Sequence, residues 1–292
     1  KRAIEYHEKS LIIATEIGDK AVESACYTNL GVAYGNLGDF KRAIEYHEKS
    51  LIIATEIGDK AVESACYTNL GVAYGNLGDF KRAIEYHEKS LIIATEIGGK
   101  AGESKCYTNL GVAYGELGDF KRAIEYTEKS LKIAKEIGDK VGEAGCYGNL
   151  GNAYGELGDF KREIEYYEKS LKIAAEIGNK AGESKCYTNL GIAYDDLGDF
   201  KRAIEYYEKS LKITTAIGDK AGESNCYGHL GAVYDDLGDF KRAVEYYLKA
   251  EEGFKETGQI HYLKIVYSNL SLAYEKMGDS ENAKKYRKLA GS

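Results

Sequence analysis

The sequence contains no proline, no tryptophan and a single methionine in 292 residues. Without proline, nothing within the chain removes a backbone donor or blocks a helix from inside, so helices run on until some other signal stops them. There is no apolar run near the roughly 20 residues that a membrane-spanning helix needs, and nothing resembles a secretory leader. Positive charge is in the minority: 40 Lys and Arg face 47 Asp and Glu, for a net charge of −7. A nucleic-acid partner wants a basic face that displaces counterions, so this balance argues against that class. Cysteine is sparse as well. Cys26, Cys66, Cys106, Cys146, Cys186 and Cys226 fall one every 40 residues. Units stacked side by side would hold such equivalents a helix-pair width apart, beyond the roughly 7 Å limit of a disulfide. Free, buried thiols are the expectation, and they favour a reducing compartment, the cytoplasm.

What the sequence has in place of these features is repetition. Residues 1–40 and 41–80 are identical, and the same 40-residue unit recurs with small changes to the end of the chain. Tyr34, Tyr74, Tyr114, Tyr154, Tyr194, Tyr234 and Tyr274 mark one register, and the glycines from Gly38 to Gly278 mark another. A fixed period in the 20–50 range signals a solenoid or array. The expected organisation is one array: 1–20 a second helix without its partner, repeats at 21–60, 61–100, 101–140, 141–180, 181–220 and 221–260, and a capping repeat at 261–292. In that last copy glycine gives way to Ser271, and Lys284, Lys285, Arg287 and Lys288 supply the polar outer face that a terminal element needs. Lys1 falls inside a unit, which suggests either a fragment of a longer array or a raw edge that stacks on another chain.

Each unit reads as two helices. In 61–100, Cys66, Leu70, Ala73 and Leu77 follow three- and four-residue spacing with Tyr67 and Tyr74 alongside, one stripe of a helix. Gly78 ends it in the left-handed conformation, and Asp79 offers an N-cap oxygen to the next helix. Phe80, Ile84, His87, Leu91, Ala94 and Ile97 continue the spacing until Gly98 closes the unit. Gly71 and Ala83, small residues repeated almost throughout, let the two helices approach closely. The tyrosines are expected in the core.

The string Tyr-x-Asn-Leu-Gly-x-Ala-Tyr-x-x-Leu-Gly-Asp-Phe-x-x-Ala-Ile-Glu-Tyr at 67–86 resembles the tetratricopeptide repeat. The longer period, with Ile57, Gly58, Asp59 and Lys60 at its junction, is similar to the subclass found in the Pins/LGN cell-polarity scaffolds. Similar arrays occur in kinesin light chains, nephrocystin-like proteins and receptors of innate immunity. The common repeat has about 34 residues and a proline near its end; here that segment reads through, so the second helix extends. The resemblance implies an all-α, right-handed superhelical solenoid of antiparallel hairpins whose first helices line a concave groove for a peptide or helix. It also implies groove asparagines, matched at Asn29, Asn69, Asn109, Asn149, Asn189 and Asn269, with His229 departing. A second asparagine matches only at Asn152, and the groove arginines have no counterpart beyond Lys105 and Lys185.

Read from the residues, the first half of that face is neutral, with Thr28, Thr68, Thr108, Val32, Val72 and Val112. The second half carries Glu116, Glu156, Asp195, Asp196, Asp235 and Asp236, which would attract a basic segment or simply solvate helix ends near a turn. The asparagines either contact ligand or hydrogen-bond one another along the stack. The Lys41–Arg42 pair and its copies read as an outer face paired with Glu45 and Glu48. His7, His47 and His87, replaced later by Thr127, Tyr167, Tyr207 and Tyr247, read as packing residues, since one repeat separates each from the next. Glu163 stands where other copies have Ala43, Ala83, Ala123, Ala203 and Ala243, and is expected to turn to solvent and loosen its hairpin. No clustered acid, base and nucleophile, phosphate-cradling loop or metal spacing is present, so neither catalysis nor a cofactor is expected. The leading function is a protein-interaction scaffold. Its rivals are self-assembly as a homodimer through the N-terminal edge, the sensor array of a larger receptor, and an engineered repeat.

Overall fold

The computed structural model describes residues 2–291. Among them there are helices and turns and no strand. The chain forms two compact units, Lys1–Leu157 and Gly158–Ser292. The first holds α1 (Arg2–Ile17), α2 (Lys20–Asn36), α3 (Phe40–Ile57), α4 (Lys60–Asn76), α5 (Phe80–Glu96), α6 (Lys100–Glu116), α7 (Phe120–Ile137) and α8 (Lys140–Glu156). The second holds α9 (Phe160–Glu176), α10 (Lys180–Asp196), α11 (Phe200–Ile217), α12 (Lys220–Asp236), α13 (Phe240–Thr257), α14 (Ile260–Lys276) and α15 (Ser280–Ala290).

Each hairpin turn follows from three residues. After α4, Leu77 is the C-cap and Gly78 takes φ of 78°, a left-handed conformation that costs glycine little. Asp79 then caps α5, its Oδ1 accepting the backbone N–H of Arg82 at 3.1 Å. The Arg82 guanidinium returns to the same carboxylate through Nε at 2.5 Å and lies over the Tyr74 ring at 4.3 Å. The expected pairing of this basic stripe with glutamates therefore gives way to pairing with the cap, because the cap carboxylate and a tyrosine face already lie beside the arginine. Leu77 and Ile97, expected in the apolar stripe, are exposed, since both sit at helix ends as C-cap residues.

Within each unit a helix packs on the next, and the first helices of successive hairpins also touch: α2 on α4, α4 on α6 and α6 on α8, then α10 on α12 and α12 on α14. Leu30, Leu70, Leu110 and Leu150 are fully buried in one unit, as are Leu190, Leu230 and Leu270 in the other. The tyrosines divide by position. Tyr74 is buried, while Tyr86 is half-buried and stacked on it at 5.3 Å. Tyr6 and Tyr262 are exposed, so not every tyrosine belongs to the core.

Two contacts bind the helices laterally. The first is a crossing at glycine: a Cβ added to Gly71 would stand 2.6 Å from Nδ1 and 2.7 Å from Nε2 of His87 on α5. The same crossing pairs Gly31 with His47, Gly111 with Thr127, Gly191 with Tyr207 and Gly231 with Tyr247. The second is a knot of hydroxyls. Ser90 Oγ on α5 lies 3.0 Å from Ser64 Oγ and 2.7 Å from Thr68 Oγ1, both on α4, and donates to the Ser64 carbonyl at 2.9 Å. Cys106 Sγ–H, from α6, donates to the same Ser90 Oγ at 3.2 Å. Ser50, Ser130 and Ser210 repeat the arrangement with Cys66, Cys146 and Cys226. All six cysteines are free and buried, and burial pushes the thiols of Cys66, Cys106, Cys146, Cys186 and Cys226 up.

Glu163 departs from expectation: it is buried at 5 % exposure, its helix holding it at the position of the small residue in other copies. The basic side chains of α15 are exposed, and Arg287 pairs with Glu275 at 2.8 Å. The glycine crossing makes a test. Gly71→Ala should destabilise the protein by about 1–3 kcal/mol through overpacking against the His87 ring, which would have to shift to admit the methyl. In a double-mutant cycle with His87→Ala, measured by denaturant unfolding, the two losses should fall well short of additive; simple additivity would refute the crossing.

Candidate interaction face

The contact of first helix with first helix leaves a niche in the first unit between each pair, floored by the second helix that separates them. One niche is lined by Gly31, Val32, Asn36, His47, Asn69 and Val72, the next by Gly71, Val72, Asn76, His87, Asn109 and Glu116. A third is lined by Gly111, Glu116, Thr127, Asn149, Asn152 and Glu156. Their volumes are about 320, 440 and 470 Å³, enough to take a side chain each. Val32, Val72 and Val112 stand exposed on the lips at 43, 44 and 47 %.

The floor residue is set by the glycine crossing. His47 and His87 are buried at 3 % exposure, and Nδ1 of each has no hydrogen-bond partner among the described residues. Burial lowers the pKa of both imidazoles to about 4, with Lys105 assisting at His87, so both are neutral at pH 7. Asn109, half-buried in the same niche as His87, has its Nδ2 buried and likewise unpartnered among the described residues. The hydrogen-bonded asparagine ladder is therefore not formed at Asn109.

The other expected residues distribute as follows. Glu116 is exposed at the end of α6 and belongs to two niches, whereas Asn149, Asn152 and Glu156 on α8 share one with it. Lys105 is exposed and lines a separate niche with Thr68, Asn69 and Cys106. In the second unit Lys185 is exposed and Asn189 half-buried, both on α10. His229, on α12, is half-buried: its ring stacks flat on Tyr207 at 5.0 Å, and burial lowers its pKa. Asp195 and Asp196 end α10, and Asp235 and Asp236 end α12. Asp195 is half-buried, and burial together with the charges of Asp236 and Asp196 raises its pKa to about 6. Asp235, expected as an open carboxylate, is instead bonded through Oδ2 to Lys276 Nζ of α14 at 2.5 Å. Sequence reasoning gave no role to Lys276, and its signal was its position: forty residues earlier the chain has an aspartate. The niche-floor histidines pack as their spacing suggests, and each also presents an unsatisfied Nδ1 that the spacing does not reveal.

Comparison with known proteins agrees with this geometry. Profiles described as tetratricopeptide repeat match residues 1–56, 63–136, 107–176, 143–216 and 186–256, and a second such profile matches 266–290. The chain belongs to the tetratricopeptide repeat family, and its fold is the family's all-α solenoid of helix hairpins. No curated protein sequence matches it. Among solved structures it is similar to the apo form of the quorum sensor NprR from B. thuringiensis, at 20 % identity over 99 % of this chain and 82 % of that one, with a TM-score of 0.78. It is similar too to a STAND-type signal-transduction ATPase with a tetratricopeptide repeat sensor from Pyrococcus horikoshii, at 20 % identity over 97 % of this chain and 43 % of that one, TM-score 0.77. A Rap protein complexed with Competence and Sporulation Factor shares 16 % identity over 92 % of this chain and 74 % of that one, TM-score 0.67.

The buried histidines give a pH signature. Their folded-state pKa lies below the ordinary 6.5, so the stability they contribute is present above pH 6.5 and is lost as pH falls towards 4. Asp195 works with the opposite sign, its raised pKa favouring the folded state as pH falls. Replacing both histidines by tyrosine, the residue at 207 and 247, should remove about 2–3 kcal/mol per site of acid sensitivity between pH 7 and 4.5. Thermal unfolding of both proteins across that range checks this, and parallel curves would contradict it.

Proposed function

We propose that the protein is an interaction scaffold that holds an extended peptide or helix against the face formed by its first helices. The observation that carries this reading is the row of three niches in the first unit, each pairing an exposed valine lip with a polar floor. An extended chain places alternate side chains on one face, so a series of like pockets suits a partner read side chain by side chain. The buried, unpartnered atoms of His87 and Asn109 fit a ligand that supplies both donor and acceptor, as a peptide group does. Similar proteins support the same direction: one is a quorum sensor, one is a signal-transduction ATPase with a tetratricopeptide repeat sensor, and one is complexed with a named factor.

The second unit favours a basic segment, since its helix ends concentrate carboxylates. Free buried thiols suit a reducing interior, which is the compartment we infer. The array of 40-residue repeats acts here as a binding surface with no chemistry of its own.

Selection of binders from a random-peptide display library against the full chain tests the scaffold reading. Val112→Glu, which puts a charge on the lips of two niches without entering the core, should weaken selected peptides at least tenfold. Lys129→Glu, on α7 away from the niches, should leave them unchanged. Equal binding by both variants would overturn the reading.

A further inference from the structure

The repeat supplies its own comparison at the carboxylate cluster of the second unit. Asp235 at the end of α12 meets Lys276 at the end of α14, and the lysine lies over the ring of Phe240 at 5.1 Å from Nζ to centroid. Shifted back by one 40-residue unit, the three positions are Asp195, Asp236 and Phe200. The aspartate and the phenylalanine are retained, and the lysine has become a second aspartate. Where one hairpin junction holds an ion pair, the preceding one sets two carboxylates against each other, each raising the energy of the other. Asp196 adds a further negative charge to the same cluster, and Lys276 is already engaged by Asp235.

A second observation points to the same place. Tyr207, whose ring crosses Gly191 of α10, is 0 % exposed, and its hydroxyl has no hydrogen-bond partner among the described residues. That hydroxyl lies within the field of Asp195 and Asp196. A buried phenol oxygen without a partner destabilises the fold unless something else satisfies it. Asp195 and Asp236 have no salt-bridge partner among the described residues, and Phe200 holds the sequence position one unit before Phe240.

We propose that Asp195 and Asp236, over the ring of Phe200, form a binding site for a primary ammonium, supplied by the lysine side chain of a bound peptide or by a free alkylamine. Lys276 shows the pose: ammonium on the carboxylate, positive charge over the aromatic face. An ammonium has three N–H donors and no acceptor, which suits a pair of carboxylates. Its charge over the phenylalanine face adds an attraction of the cation–π type. The lysine form of this proposal rests on the scaffold reading, whereas the amine form stands without it.

Ligand-detected NMR titration of the full chain at constant ionic strength tests both. The probes are an N-acetylated, C-amidated Gly-Gly-Lys-Gly-Gly, the same peptide with norleucine for lysine, and pentylammonium. The lysine peptide should bind at least tenfold tighter than the norleucine one, and Asp195→Asn or Asp236→Asn should each erase that preference. Asp236→Lys rebuilds the Asp235–Lys276 pair one hairpin earlier. It should raise the melting temperature and abolish the response to all amines, and Asp195→Asn in the same background should cancel the gain in melting temperature. If pentylammonium binds as tightly as the lysine peptide, the site is one for free amines; if it binds more weakly, the peptide supplies the ammonium. Equal binding of lysine and norleucine peptides together with no pentylammonium binding would overturn the proposal, as would a preference that survives in both asparagine variants. A chain that loses peptides on Val112→Glu yet shows no lysine preference refutes the ammonium site and leaves the scaffold standing.

Discussion

The contact on which each hairpin depends is the passage of a second-helix side chain across a glycine of the first helix. Because Gly31, Gly71, Gly111, Gly191 and Gly231 have no Cβ, an imidazole, a hydroxyl or a phenol ring can rest directly on helix backbone. That approach sets how deep the second-helix residue sits, and its depth in turn decides what lies at the bottom of each niche. A residue with any side chain at the glycine would push the floor outward and fill the space a ligand would take. The close packing that stabilises the hairpin and the recess on its surface are thus two results of one vacancy in the sequence.

The hydroxyl knots act on a different axis. Ser90 ties α4 to α5 and, through Cys106, to α6, so one buried oxygen holds three consecutive helices. Buried polar groups of this kind are costly when unmatched and specific when matched. Here they fix how neighbouring hairpins register against each other, while the leucines and tyrosines supply most of the apolar burial. A repeat protein has little long-range structure to enforce register, so local polar matching of this sort has more to decide than in a globular domain.

Most of the fold was legible because each unit repeats its evidence. The Gly78–Asp79 turn, the small residues at 71 and 83 and the three-and-four spacing all predicted what the helices do. Errors came where a residue's fate depended on a neighbour in space. Glu163 is expected in solvent because a carboxylate is dear to bury, yet it lies buried at the small-residue position of its helix. Arg82 was assigned to glutamates one turn away, although the cap carboxylate and a tyrosine ring compete better. The site was legible in outline only. Asn109, Asn149 and Glu116 do line niches, but the histidine floors and the Asp235–Lys276 pair come from contacts between units. A column-by-column reading of the alignment within the chain would have exposed that pair, since only one of the two junctions changes sign.

Two of the units are letter-identical, and the niches they help to build have nearly the same walls. Every face that residues 41–80 present to a neighbour is one that a copy of themselves would accept. Copying that stretch in tandem would therefore lengthen the array by one niche without requiring any new interface to evolve, and losing it would shorten the array just as quietly. For such a chain, reach along a partner is a quantity that recombination can adjust in whole steps while the chemistry of each step stays constant.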